Sequence, residues 1–321
     1  MTVSQDILRE GLGKTLDGTD FSGLGIRYEG KVRDNYSTKD GHRILVVTDR
    51  VSVFDHVVGT LPYKGQVLNA LAAWWFDETE TIAPNHVLSV PDPNVLIGEE
   101  CEPLKAEMIV RAYVTGNTST SIWTHYAKGV REFCGHRLPD GLKKHQKLDN
   151  AILTPSTKAD HGDHDVSASR EELVASGAIS ARDFDAAAEY ALALFAHGQK
   201  VCAERGLILV DTKYEFGRNK KGEIIVIDEI HTADSSRFWL SESYAEAFAA
   251  GSDPKSFDKD YVRRWLGSQG YTGDGPAPVI PDDVRVEAAW RYIQACDTIR
   301  GEPFVPNTEA PLPRIKHALG L

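Results

Sequence analysis

The sequence predicts an α+β protein in two parts, a β-rich one over residues 1–112 and a larger one, richer in loops and helices, over residues 113–321. Three features predict it. Short β-branched runs bounded by Gly, Pro and Asp crowd the first part, a hairpin signature occupies residues 207–230, and residues 241–301 read as helices separated by Gly and Pro. At 321 residues, with 41% hydrophobic and 26% charged side chains, the chain has the composition of a globular protein and the length to bury a large core.

Taken in order, GIRYEG, RILVVTDRVSVFD, HVLSV and EMIVRAYV are strands. One helix interrupts them. In QVLNALAAWWFDE the apolar Leu68, Leu71, Ala72 and Trp75 fall at i, i+3, i+4 and i+7, the stripe of a helix packed on a sheet, so Trp74 and Trp75 belong to a core or lobe interface. The stretch from Cys134 to Ser167 is polar, His- and Gly-rich and without sustained periodicity, a long loop region around a few short elements. Ser169, three residues before Glu172, forms a capping box, and Ser180 opens a helix through Ala203 that Gly206 ends. LILVDTKYEFG, a polar turn and IIVIDEI then make a hairpin, and SESYAEAFAAG, FDKDYVRRWLGS and PDDVRVEAAWRYIQACDTIRG are helices.

A net charge of -11 argues against a general nucleic-acid binder, whose surface must attract a phosphate backbone. Small anionic substrates need only a local basic cluster. The longest apolar run, ALALFA at 191–196, is far shorter than a membrane span, and the N-terminus lacks a basic region followed by an apolar one, so the expected location is cytoplasmic. Cys101, Cys134, Cys202 and Cys296 show no paired spacing and are expected to be reduced thiols.

The hairpin carries the strongest chemical signal. Along an ideal strand Leu207, Leu209, Asp211, Lys213 and Glu215 share one face. The alternative is a solvated polar face. Against it, the face begins with leucines and the partner strand is apolar until Asp228 and Glu229, which suits the floor of a cleft. Converging carboxylates with a lysine fit magnesium and nucleotide phosphates. For Asp228 to share an ion with Glu215, both must emerge on one face, so paired residue numbers are expected to sum to an odd value, as with Asp211 opposite Asp228. HTADSSRFW adds Asp234, two serines and Arg237, a fork for a second anion or else a polar loop capping the next helix.

Weaker candidates lie elsewhere. YEGKVRDNY sets Gly30 before Lys31 and Arg33, which would meet a polyphosphate, although such pairs are frequent in turns. GLGKT at residues 11–15 lacks the preceding glycine of a phosphate-binding loop, Leu8 standing there instead. In EMIVRAYVTGNTSTSIW, Arg111 leaves a strand before Thr115, Gly116, Asn117 and Thr118, either a phosphate site or an ordinary helix cap. TPSTKADHGDHDVS crowds Asp160, His161, Asp163, His164 and Asp165 together, and a solvated lid suits it better than a transition-metal site.

In order and together, YEGKVRDNY, LVVTDRVSVFD, LPYKGQVLNALAAWWF, EMIVRAYVTGN, TPSTKADHGDHD, LILVDTKYEFG, IVIDEIHTADSSRFW and SFDKDYVRRWL resemble the phosphoribosylaminoimidazole-succinocarboxamide synthase, or SAICAR synthetase, family. The resemblance spans nearly the whole chain. It implies a two-lobed α+β fold distantly similar to protein kinases, with a nucleotide between the lobes. It implies that ATP, L-aspartate and 5-amino-4-carboxyimidazole ribonucleotide are substrates, with magnesium as the metal and neither nucleic acid nor membrane as partner.

Carried over by position, the resemblance implies that Gly30, Lys31, Val32 and Arg33 face the ATP phosphates and that Lys105, Glu107 and Met108 belong to the segment beside adenine. Glu215 and Asp228 would hold magnesium. Arg111, Asn117, Thr118, Lys158, Asp211 and Arg237 would bind the other substrates, and Lys213 and Asp211 would lie among the reacting groups. Family members generally have Ser at the position of Asn117, so the phosphate contact there passes to the amide, to Thr118 or to backbone.

Overall fold

The computed structural model describes residues 3–54, 56–158, 165–257 and 260–321. After helix α1 (Gln5–Gly11) the chain builds an antiparallel sheet from β1 (Ile26–Glu29), β2 (Arg33–Ser37) and β3 (His42–Val47). A ribbon, β4 (Arg50–Val53) and β5 (His56–Thr60), and helix α2 (Lys64–Glu78) precede its last strands, β6 (Val87–Asp92) and β7 (Val95–Glu99). The spatial order is β1-β2-β3-β7-β6. Leu68, Leu71, Ala72 and Trp75 of α2 are all buried, as the stripe predicted, whereas Trp74 is only half-buried.

The second sheet is built on β9 (Ala106–Val114) and β14 (Leu207–Arg218), antiparallel neighbours at its centre. Around them lie β8 (Glu102–Pro103), β12 (Gln146–Leu153), β13 (Ser156–Thr157), β15 (Ile224–Ile227) and β16 (Ser236–Leu240). A small ribbon, β10 (Glu132–Phe133) with β11 (His136–Arg137), follows helix α3 (Ile122–Ala127). The boundary drawn at 112/113 falls inside β9, while the two sheets part earlier, between Glu99 and Glu102. The region read as loop from Cys134 to Ser167 holds a true strand, β12, whose register on β9 shifts between Lys147 and Ile152.

Helices α4 (Arg170–Ala175) and α5 (Ala181–Glu204) begin as their caps predict. Ser169 and Glu172 form a reciprocal capping box, and Ser180 accepts from the amide of Asp183. Helix α5 packs on β14 closely enough that a Cβ on Gly198 would stand 2.4 Å from His231 and 2.9 Å from Leu209, which is why a glycine sits there. Helices α6 (Ser241–Ala250), α7 (Asp260–Ser268) and α8 (Asp282–Arg300) complete the predicted set. A last helix, α9 (Pro311–Ala318), returns to the first sheet, where Ile315 joins Leu16, Phe21, Tyr36, Ile44 and Val46 in a closed cluster. Among the described residues no helix is long and apolar enough to cross a membrane, and all four cysteines are free thiols.

One buried ion pair ties these parts together. Lys64, the first residue of α2, is 1% exposed and reaches Asp234 at 2.6 Å, and the Tyr292 hydroxyl of α8 donates to the other Asp234 oxygen at 2.6 Å. Burial outweighs the attraction of Asp234 and lowers the proton affinity of Lys64 below that of an ordinary lysine. Asp234→Ala strands this ammonium and is expected to cost about 3 kcal/mol of stability in urea unfolding. Lys64→Met in the same chain is expected to recover at least half of that loss; a purely additive double variant would contradict the coupling.

Candidate active site

Antiparallel pairing sets the site. On β14, Asp211 lies directly opposite Arg111 of β9 on one side and Arg237 of β16 on the other. Directly opposed residues share a face, so the three side chains form a row across three strands. Arg237 donates to Asp211 at 2.8 Å, and Arg111 stands 3.7 Å from the same oxygen. Arg111 also donates to the Thr154 hydroxyl at 2.8 Å and to the carbonyl of Thr120 at 3.0 Å, which anchors the turn after β9.

The expected face alternation of β14 fails at its start. A register shift against β16 lies between Leu209 and Asp211, the signature of a bulge. Leu209 faces α5 before it, and Tyr214 and Phe216 face α5 after it: Tyr214 bonds His231, and the Phe216 ring stacks on Tyr190 of α5. The leucines therefore do not share the face of Asp211, Lys213 and Glu215.

Beyond the bulge the face is an alternating array of charges. The Lys213 ammonium lies 2.9 Å from Glu107 and 2.5 Å from Glu215, and Lys158 caps the other oxygen of Glu215. Burial alone would raise the Glu215 carboxyl, but Lys213 and Lys158 outweigh it and hold it well below the usual carboxylate range. Burial likewise disfavours the Lys213 ammonium, yet Glu107, Glu215 and Asp228 together raise its proton affinity well above normal.

The hairpin register is the opposite of the one expected. Glu215 pairs with Ile227 and Phe216 with Val226, so paired numbers sum to an even value. Continued one residue further, that register would turn Asp228 away from Glu215. The strand stops at Ile227 instead, and Asp228 takes the left-handed conformation, φ 67°, which aspartate accepts more readily than most residues. Asp228 and Glu215 consequently line one cavity, by a turn and not by strand register.

Arg33 closes this end. It is 7% exposed and pairs with Glu229 at 2.6 Å and Asp228 at 3.3 Å, and despite burial these carboxylates strengthen its hold on its proton. Burial, opposed by Arg33 and reinforced by Glu215 and Glu229, pushes Asp228 up to about 6. Asp228, which resists ionisation beside Glu215 and Glu229, is where a divalent cation would lower the free energy. Among the described residues no three His, Cys, Asp or Glu form a ready-made metal group. Two carboxylates completed by phosphate oxygens and water are nevertheless how magnesium is commonly bound, so Glu215 and Asp228 fit that ion.

The cavity, about 810 Å³, is lined by Gly30, Lys31, Val32 and Arg33 on one wall and by Glu107, Lys158, Lys213, Glu215 and Asp228 on another. Thr118 lies on its rim. Asn117 is exposed outside the lining, and Arg111, Asp211 and Arg237 are also outside it, Arg111 reaching the carbonyl of Thr120 in the 118–120 turn. Lys105 is exposed and Met108 fully buried in the core, so of that strand segment only Glu107 presents its side chain to the cavity. Glu229 and Asp234, which the sequence placed near the cleft without a definite role, both line the cavity, and Lys64, which sequence reasoning missed, stands behind Asp234. Of the His and Asp cluster at 160–165, only Asp165 is among the described residues, and it too lines the cavity.

A family model described as SAICAR synthetase matches residues 26–278. The phosphoribosylaminoimidazole-succinocarboxamide synthase of Legionella pneumophila (strain Lens) is 48% identical over 304 residues, covering 92% of this chain and 96% of that protein. The SAICAR synthase of Saccharomyces cerevisiae, solved in complex with SAICAR, superposes with a TM-score of 0.78 at 30% identity, covering 91% of this chain and all of that one. A SAICAR synthetase solved in complex with ADP superposes with a TM-score of 0.66 at 25% identity, over 88% of this chain and all of that one. Matched by the family model over most of its length and by a named relative across nearly all of it, the chain belongs to the SAICAR synthetase family.

Proposed function

We propose that this chain uses ATP to join L-aspartate to 5-amino-4-carboxyimidazole ribonucleotide, giving the succinocarboxamide, ADP and phosphate, as a cytoplasmic step of purine biosynthesis. The observation that carries this reading is the adjacency of two charge systems on β14. The arginine-flanked Asp211 row suits one anionic substrate, and two residues along, the Lys213, Glu215 and Asp228 array suits a nucleotide and its metal.

A carboxylate is a poor electrophile because an attacking amine would have to expel oxide. Moving the γ-phosphoryl group of ATP onto a carboxylate oxygen releases ADP and makes that oxygen part of a leaving group. The aspartate amine then attacks the carbonyl carbon, phosphate departs with the oxygen, and the amine loses a proton. Such chemistry asks the protein mainly for positioning and for stabilisation of charge. Lys31 and Arg33 suit the polyphosphate, and Lys213 and Lys158 suit the charge that moves between the reacting groups. Magnesium, held by Glu215 and Asp228, would neutralise polyphosphate charge. Asp211 already accepts from Arg237, which suits a carboxylate that aims the arginines better than one that takes a proton.

Phosphate release measured with each substrate omitted in turn tests the reading. Turnover is expected only with ATP, the ribonucleotide and aspartate all present. Aspartate-independent phosphorylation would make the chain a small-molecule kinase, and no turnover at all would make it a nucleotide-binding regulator. Arg237→Ala is expected to weaken the ribonucleotide by about 2 kcal/mol or more, the range for truncating a buried charge pair, while leaving the KM for ATP nearly unchanged. Equal weakening of both would move Arg237 to the nucleotide.

A further inference from the structure

Behind the Gly30–Arg33 wall of the cavity sits a buried guanidinium that the chemistry above does not use. Arg50, the first residue of β4, is 4% exposed and spends its donors almost wholly on backbone. Its Nη2 donates to the carbonyl of Gly30 at 2.9 Å, its Nε to that of Lys31 at 3.1 Å and its Nη1 to that of Asp17 at 2.6 Å. Asp34, fully buried on β2, fixes the fork from the other side by accepting from Nη2 at 2.9 Å. The next carbonyl, of Val32, is held by the amide of Thr48 at 3.0 Å and by its hydroxyl at 2.8 Å. Three successive carbonyls are thus drawn to one side.

In a planar trans peptide the carbonyl and the N–H that follows it point in opposite directions. Holding the Gly30 and Lys31 carbonyls toward Arg50 therefore turns the amides of Lys31 and Val32 the other way. Gly30, Lys31 and Val32 line the cavity, and Arg50 does not. Successive amides turned into a concavity form an anion-binding nest. A lysine at position 50 could not reproduce this, because an ammonium lacks the planar fork that spans three carbonyls and a carboxylate.

We infer that Arg50 is a positioning residue for the nucleotide: it pre-shapes the Gly30–Val32 turn so that the Lys31 and Val32 amides meet an anionic phosphate chain. The inference rests on the proposed ATP chemistry only for the identity of the anion. Its test uses the full chain, with ADP binding followed by calorimetry and the KM of each substrate by phosphate release, in Arg50→Gln and Arg50→Lys. Both variants are expected to weaken ADP and raise the KM for ATP by about tenfold or more. The KM values for the ribonucleotide and aspartate are expected to stay within about twofold, since Arg50 touches neither the Asp211 row nor the 118–120 turn. Hydrogen exchange gives a second readout: ADP should slow exchange at Lys31 and Val32 in the parent chain and much less in the variants. Should the Gln variant not fold, the Lys variant, which keeps the charge beside Asp34, carries the test. Unchanged ADP affinity, or equal weakening of all three substrates, would overturn the assignment. Because ADP binding needs no turnover, failure of aspartate-dependent activity in the parent chain would sink the proposed reaction and leave this result standing.

Discussion

Antiparallel pairing of β14 with β9 and β16 is the constraint on which the rest of this site depends. It places Asp211 between Arg111 and Arg237 without any long-range search, because residues opposed across strands share a face. The same pairing puts Glu107 beside Lys213, and the period of the strand puts Glu215 beyond it. Met108, one residue out of phase with Glu107, is by the same parity consigned to the core opposite Tyr214. The bulge before Asp211 lets leucines and aromatics of alternate parity all face α5.

A half-buried array of this kind is costly unless charges alternate, since each ion loses part of its hydration. Here each lysine stands between or beside carboxylates, and Arg33 is matched by two of them. The array is closed by elements distant in sequence. Arg33 comes from the first sheet, Glu107 and Glu215 from the second, and Lys64 and Tyr292 fix Asp234 from helices α2 and α8. The cleft is therefore a junction of both sheets and the C-terminal helices.

Much of this was legible in the sequence, for reasons that also explain what was not. The α2 stripe, the Ser169 and Ser180 caps and the hairpin rest on local chemistry, and each stands where the pattern put it. The register of the hairpin rests on no such pattern. Ile224–Ile227 is apolar at every position, so alternation gives no sign of which residue opposes which. The same holds for Leu207–Val210, where the bulge sits unannounced in an unbroken apolar run. Strand β12 was hidden because half of it is polar, none of it is buried and its apolar residues do not alternate, and Lys64 because nothing local distinguishes a buried lysine from a solvated one. Asp228 reaches Glu215 through one left-handed residue, a choice made by the tertiary structure.

We propose that Glu215 and Asp228, brought together by that turn, hold the metal that accompanies the nucleotide. Calorimetric titration of ADP with and without magnesium, in the parent chain, Glu215→Gln and Asp228→Asn, tests it most directly. Magnesium is expected to tighten ADP binding to the parent chain by about tenfold or more and to lose most of that effect in either variant. The same magnesium-dependent tightening in both variants as in the parent would contradict the account.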